Sequence, residues 1–220
     1  LEIEFSIPQG HSQNFKFSPG EYISLNLELD GKIYRRCYSI SKLSGSDSIF
    51  ICVKHVPKGI VSTYLLSRLK IGDTIELGSP EGEFVLKSNI FNRKRNIVFI
   101  TGGSGVTPMI SMIQTLINKK HQGEITLING NRNAESVIYS EVLEEFKDHI
   151  HVINVLEKPS EIKGNGYIGL LTTDQLTLIL NEININKAHF YLSGPPIVVE
   201  NAENALKALG VKRCNYFSEK

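Results

Sequence analysis

Between Thr101 and Pro108 the chain reads T-G-G-S-G-V-T-P, residue types and spacing suited to holding an anion. Gly102, Gly103 and Gly105 can take backbone conformations closed to other residues and leave their main-chain N–H groups uncovered. Thr107 suits a helix N-cap, and Pro108 the first helical position. N–H groups and the positive end of a helix dipole then converge on one spot. An anion there gains about 0.3–1 kcal/mol from the dipole, with hydrogen bonds in addition. A phosphate or pyrophosphate is the ligand such chemistry serves.

Other uses of a glycine-rich turn fail on their spacing. The G-K-[ST] ending of a P-loop is missing, and so is the third glycine of G-x-G-x-x-G, because Thr107 and Pro108 close the turn. A nucleophile elbow on Ser104 would need glycine where Val106 stands. His149 and His151 could share a strand face, but no third ligand stands near them, so no metal site is expected. Cys37, Cys52 and Cys214 form no C-x-x-C pair, which points away from zinc and from a disulfide framework and towards a reduced, cytoplasmic setting.

Composition narrows the partners. Lys+Arg 24 against Asp+Glu 23 leaves no charge excess that would argue for nucleic acid or a membrane surface. No run approaches the roughly 18 apolar residues of a membrane span. At 220 residues the chain is long enough for two modest domains.

The elements that position the turn follow from periodicity. Ile97 to Ile100 suit a strand buried on both faces, and Met109, Met112, Ile113 and Leu116 recur at helical spacing after it. Upstream, residues 1 to 87 alternate as short strands at Leu1 to Ile7, Tyr22 to Leu29, Ile33 to Ile40, Ile49 to Val56, Thr74 to Leu77 and Glu83 to Leu86. One helix from about Val61 to Leu69 interrupts them, so a small antiparallel barrel is expected. The polar run Ser88 to Arg95 marks a boundary between domains at 1–90 and 91–220.

From residue 97 onward, five strands alternate with helices at about 108–119, 136–147, 172–181 and 196–209, which predicts a parallel five-stranded sheet. With strand order 3-2-1-4-5 its first and fourth strands are neighbours. The turn at Thr101 then faces a second glycine turn, Ser193-Gly194-Pro195-Pro196, across one crevice, where such sheets bind ligands.

Four ordered motifs carry a family resemblance: R-x-Y-S at Arg36, Tyr38 and Ser39; G-x-V-S at Gly59, Val61 and Ser62; the G-G-S-G-V-T-P turn; and S-G-P-P. Together they resemble the ferredoxin-NADP reductase family over nearly the whole chain. R-R-C-Y-S-I-S, V-K-H-V-P-K-G and N-G-N-R are similar to reductase components of multicomponent oxygenases of the phenylacetyl-CoA type.

The resemblance implies FAD on the barrel and NADPH or NADH on the parallel-sheet domain. Arg36 would meet a pyrophosphate, Tyr38 would flank the isoalloxazine and Ser39 would reach its N5 edge. Val53 and Lys54 would line the cofactor, and the helix opened by Gly59, Val61 and Ser62 would receive the FAD pyrophosphate. Thr101, Gly102, Gly103, Gly105, Thr107, Pro108, Gly194 and Pro195 would surround the nicotinamide nucleotide. Asn131, Arg132 and Tyr139 would face its adenosine end, Arg132 favouring NADPH, and Phe217 is a further expected cofactor-binding residue. Ser193 stands where many members have cysteine, and Ser39 and Ser193 are the expected catalytic pair.

The resemblance further implies a plant-type [2Fe-2S] carrier, in a partner protein or an additional domain, and an oxygenase component beyond it. The family's first barrel strand is expected before Leu1. A non-catalytic flavin- or nucleotide-binding coupling subunit and a free flavin reductase remain the alternatives.

Overall fold

The structure is a computed structural model and describes residues 1–42, 48–87, 90, 94–158 and 166–219. The chain divides into two compact units, residues 1–86 with 107–115, and residues 87–106 with 116–220. Part of the expected boundary segment, residues 88, 89 and 91–93, lies outside the described residues.

Among the described residues of the first unit, five strands form two antiparallel sheets. β1 (Glu2–Ser6) pairs with β4 (Ser48–Cys52), and β2 (Tyr22–Leu29) lies between β3 (Lys32–Ser39) and β5 (Glu76–Leu77). An isolated bridge between Ile40 and Ile51 links the two sheets. The antiparallel domain is thus present, as two bridged sheets and not as one continuous ladder. Alternation places Ile23, Leu25, Ile49 and Ile51 inside, each fully buried. Helix α1 (Ile60–Ser67) adds Val61 and Leu65 to that core.

One expected strand is absent among the described residues. Glu83 to Leu86 form no ladder; the pairing after β5 is a single bridge from Tyr22 to Glu81. Gly82, at φ 128°, turns the chain immediately after that bridge, so the alternation that follows has no partner edge.

The second unit is built on a parallel sheet: β6 (Ile97–Gly102), β7 (Ile125–Asn131), β8 (His151–Leu156), β9 (Gly166–Ile168), β10 (His189–Ser193) and β11 (Tyr216–Ser218). Their order is β11-β10-β6-β7-β8-β9. The expected neighbours, β6 between β7 and β10, are found. The sheet has six strands where five were expected; the sixth, β9, has three residues, too few to show a period.

One face of the sheet, with Val98, Ile100, Ile128, Val155, Phe190 and Leu192, packs on α4 (Thr173–Glu182) and α5 (Pro196–Ala208) through Leu176, Ile179, Ala202 and Ala205. Truncating Phe190 to alanine in this core should cost about 3–5 kcal/mol.

Helix α2 (Val106–Asn118) is buried on nearly every side over residues 105–113, beyond the stripe its spacing predicts. It begins one residue before Thr107, after a 3-10 turn at Gly103–Gly105. Thr107 therefore sits in the first turn and is not the cap, and Pro108 follows it where a missing N–H still costs nothing. Helix α3 (Ser140–Glu145) is shorter than the expected 136–147. Tyr139 before it is left-handed at φ 61°, which separates α3 from a 3-10 turn at Ala134–Ser136.

No helix among the described residues is long and apolar enough to cross a membrane.

Candidate functional site

In the second unit the carboxyl ends of β6 and β10 lie side by side, with Thr101 opposite Ser193. Their turns touch through bare backbone. A Cβ added to Gly105 would lie 2.5 Å from the Gly194 nitrogen and 2.6 Å from its Cα, so only glycine admits this approach. Gly194, at φ 131°, is equally constrained, since a Cβ there would lie 2.8 Å from both the nitrogen and the oxygen of Gly102. Gly103 is left-handed at φ 55° and carries the chain into α2. Pro195 caps α5 and packs its ring near Gly102, 3.2 Å from where a Cβ would stand.

Two helices thus start from one pair of touching turns. At the same level Thr101 is fully buried, with a hydroxyl that has no partner among the described residues. Bare N–H groups, aligned helix starts and an unmet hydroxyl fit a phosphate-bearing nucleotide at this end of the sheet.

The adenosine end expected after β7 is organised locally. Asn131 is buried and donates from Nδ2 to Asn129 Oδ1 at 2.9 Å. Arg132 is exposed, its carbonyl held by the Lys158 N–H at 2.8 Å. A reciprocal cap follows. The Asn133 side chain accepts from the Ser136 N–H at 3.1 Å while the Asn133 N–H donates to Ser136 Oγ at 3.1 Å. This fixes the path from Arg132 to Tyr139, whose left-handed backbone is a strained arrangement for a large residue.

Ser193 is fully buried and donates its hydroxyl to the Glu219 carboxylate. Burial pushes the Glu219 carboxyl above its ordinary 4.5, and the Ser193 hydrogen bond pulls against that shift. Phe217, on β11, stacks its ring 5.2 Å from Tyr191 and 5.8 Å from His189, with Lys87 Nζ 5.3 Å from its centroid. Tyr191 is held by the Lys87 N–H at 3.1 Å, and burial pushes its phenol up to about 12.

In the first unit strand alternation separates the motif residues. Arg36 and Tyr38 share one face of β3, opposite Leu25 and Ile23, and Ser39 lies on the other face at the end of the strand, opposite Tyr22. Arg36 is exposed and donates to the Arg35 carbonyl at 2.7 Å. Tyr38 is half-buried; burial raises its phenol and the nearby Arg36 charge lowers it. A cation beside an aromatic face suits an anionic, flat cofactor.

Helix α1 opens from Gly59 as its N-cap, where a Cβ would lie 2.6 Å from Ser62 Oγ and 2.9 Å from Val56 Cβ. Ser62 Oγ accepts from the Val56 N–H at 3.2 Å, so its hydroxyl shapes the turn ahead of the helix. Val61 and Val53 are core side chains. The Val53 N–H is taken by the Leu1 carbonyl at 2.8 Å, which leaves this residue supporting the strand while Lys54 beyond it is exposed.

The structure therefore brings together Thr101, Gly102, Gly103, Gly105, Ser193, Gly194 and Pro195 in one unit, and sets Arg36 beside Tyr38 in the other. Sequence reading passes over Glu219 as a site residue, because nothing local marks a carboxylate that is paired across two strands. It also passes over Asn129 and Asn154, whose alignment exists only once the sheet is assembled.

Comparison with known proteins agrees with this division. A family model described as an oxidoreductase FAD-binding domain matches residues 2–86, and one described as an oxidoreductase NAD-binding domain matches residues 99–204. The chain is 29% identical over 217 residues to a component of the 1,2-phenylacetyl-CoA epoxidase of Escherichia coli (strain K12), covering 96% of this chain and 60% of that protein. It is 27% identical over 222 residues to the toluate 1,2-dioxygenase electron transfer component of Pseudomonas putida, covering 99% and 62%. It thus spans about 60% of the length of these curated relatives.

The flavohem-like FAD/NAD binding domain of nitric oxide dioxygenase from Vibrio cholerae O1 biovar El Tor superposes with a TM-score of 0.79 at 25% identity, over 93% of this chain and 85% of that one. With an FAD-binding domain, an NAD-binding domain and the switch-point turns between β6 and β10, the chain belongs to the ferredoxin-NADP reductase family of oxidoreductases.

Proposed function

We propose that the chain is the reductase module of an electron-transfer system, taking hydride from NADPH onto FAD and passing electrons to a [2Fe-2S] carrier that serves an oxygenase. The observation that carries this reading is the contact of the Gly105 and Gly194 turns at the ends of β6 and β10, an approach that only glycine permits and that supports a phosphate-bearing nucleotide there. When bound, FAD accepts two electrons as hydride and releases them singly, which converts nicotinamide chemistry to iron-sulfur chemistry.

The residues of the chain supply binding and orientation. Arg36 offers charge-assisted hydrogen bonds to the FAD pyrophosphate, and Tyr38 offers an aromatic face to its ring. Gly59 and the Ser62-held turn present the start of α1 to the same pyrophosphate. Gly102, Gly103 and Gly105 present N–H groups to the nicotinamide nucleotide, and Ser193 with Glu219 forms a polar pair at the carboxyl end of β10. Arg132 and Tyr139 at the far end favour a 2'-phosphate, hence NADPH.

The oxygenase partner rests on the likeness to the epoxidase and dioxygenase components, and a cytosolic setting fits such a partner. The likeness to a flavohem-like domain supports a second reading in which a haem takes the electrons.

Anaerobic mixing of the FAD-loaded protein with NADPH tests the activity. Rapid loss of the oxidised-flavin absorbance is expected; a protein that takes up no FAD, or whose bound flavin NADPH does not bleach, would rule the reading out.

A further inference from the structure

One row of side chains crosses the parallel sheet on the face turned away from α4 and α5. Thr101 on β6 is in register with Asn129 on β7, and Asn129 with Asn154 on β8. Residues in register on parallel strands point to the same side, and here that side is opposite Ile100, Ile128 and Val155, which face the two helices. Thr101 and Asn129 are both fully buried.

The row is chemically incomplete in a specific way. Thr101 Oγ1, Asn129 Nδ2 and Asn154 Oδ1 are buried polar atoms without hydrogen-bond partners among the described residues. Asn129 Nδ2 is a donor and Asn154 Oδ1 an acceptor on adjacent strands, whose backbones lie about 4.8 Å apart, whereas Thr101 is two strand spacings from Asn154. The two asparagine atoms are not bonded to each other, and a molecule that both donates and accepts can bridge them. Leaving three such groups unmet in a sheet interior would cost about 1–3 kcal/mol each. Internal waters typically make about three hydrogen bonds to groups of this kind.

We propose that Asn129 and Asn154 hold one internal water. Water donates to Asn154 Oδ1 and accepts from Asn129 Nδ2. The consequence reaches the nucleotide end of β7. With its Nδ2 engaged by the water, Asn129 has its Oδ1 turned to receive Asn131 Nδ2, the 2.9 Å bond already described. Asn129 and Asn154 are thereby positioning residues. They hold the Asn131 amide at the end of β7, where the adenosine part of the coenzyme is read. This second step rests on the nicotinamide-nucleotide reading given above.

A high-resolution crystal structure of the FAD-loaded protein tests the water directly. One water within about 3.2 Å of both Asn129 Nδ2 and Asn154 Oδ1 is expected. An Asn129 amide rotated to bond Asn154 directly, with no water between them, would overturn the site.

The positioning step is tested with Asn154→Leu, a residue with no place at the cofactor. KM for NADPH should rise about fivefold, the size of one ordinary hydrogen bond, with kcat at saturating NADPH and FAD content unchanged. An unchanged KM, or a fall in kcat with KM constant, would overturn the positioning role. If Asn154→Leu does not fold, the crystal structure of the parent still decides the water. If the parent shows no NADPH-dependent flavin reduction, the functional reading fails while the crystallographic result stands by itself.

Discussion

The Ser193 hydroxyl, at the last residue of β10, donates to the carboxylate of Glu219, which follows β11 and is held there by its own N–H to the Leu192 carbonyl at 2.9 Å. The pair joins the segment after β11 to the end of β10. Burial raises the Glu219 carboxyl above 4.5 and the Ser193 hydrogen bond lowers it. Because the folded value lies above the unfolded one, folding favours the protonated acid. Its stabilising effect is complete below pH 4.5 and is lost as pH rises through the folded value. Glu219→Gln should remove this slope from the stability curve. Ser193→Ala, by taking away the donor, should extend it to higher pH. Urea midpoints measured across that range check both, and a slope unaffected by either change would sink the assignment.

Arg36→Ala should weaken FAD retention by about 1.5–3 kcal/mol, the worth of a charge-assisted hydrogen bond to the pyrophosphate. Tyr38→Ala should release the ring as well. Dialysis followed by flavin absorbance measures the outcome; stoichiometric FAD in both variants would move the flavin site elsewhere.

Gly105→Ala places a methyl group 2.5 Å from the Gly194 backbone nitrogen, and main chain cannot yield as a side-chain tip does. The β6 and β10 turns must separate, so a loss of about 1–3 kcal/mol in stability is expected. Affinity for the nicotinamide nucleotide should fall with it. A thermal melt and a nucleotide titration read the two effects, and parent-like values in both would mean that the turns are not held together as described.

Arg132 is exposed just after β7; if it meets a 2'-phosphate as proposed, Arg132→Ala should lower kcat/KM for NADPH while sparing NADH. A parent enzyme equally fast with NADH, with a ratio insensitive to this change, would remove the coenzyme preference.

For electron delivery, the FAD-loaded chain should reduce ferricyanide readily with NADPH and cytochrome c poorly until a [2Fe-2S] ferredoxin is added, since Cys37, Cys52 and Cys214 cannot supply the four cysteines of a plant-type cluster. Fast cytochrome c reduction by the chain alone, insensitive to ferredoxin and to superoxide dismutase, would contradict the need for such a carrier.

Much of this protein is decided locally, and that part is readable from the sequence alone. Alternation in Tyr22–Leu29 makes a strand whichever partner it finds, and the continuous apolar run at Ile97 makes one that must be covered on both sides. The doubly wound strand order expected for such a sheet places β6 between β7 and β10, as found, which brings the two glycine turns together. Tertiary structure decides what depends on register and on partners distant in the chain. Glu83 to Leu86 carry a strand pattern but meet no edge, and Gly166–Ile168 carry almost none yet pair with β8. The start of α2 shifts ahead of Thr107 because the 3-10 turn consumes Gly103–Gly105. Ser193 with Glu219, and Thr101 with Asn129 and Asn154, become neighbours only when strands far apart in sequence align to the residue. A side chain's hydrogen-bonding need is written in its chemistry, but the group that meets it is chosen by the assembled sheet.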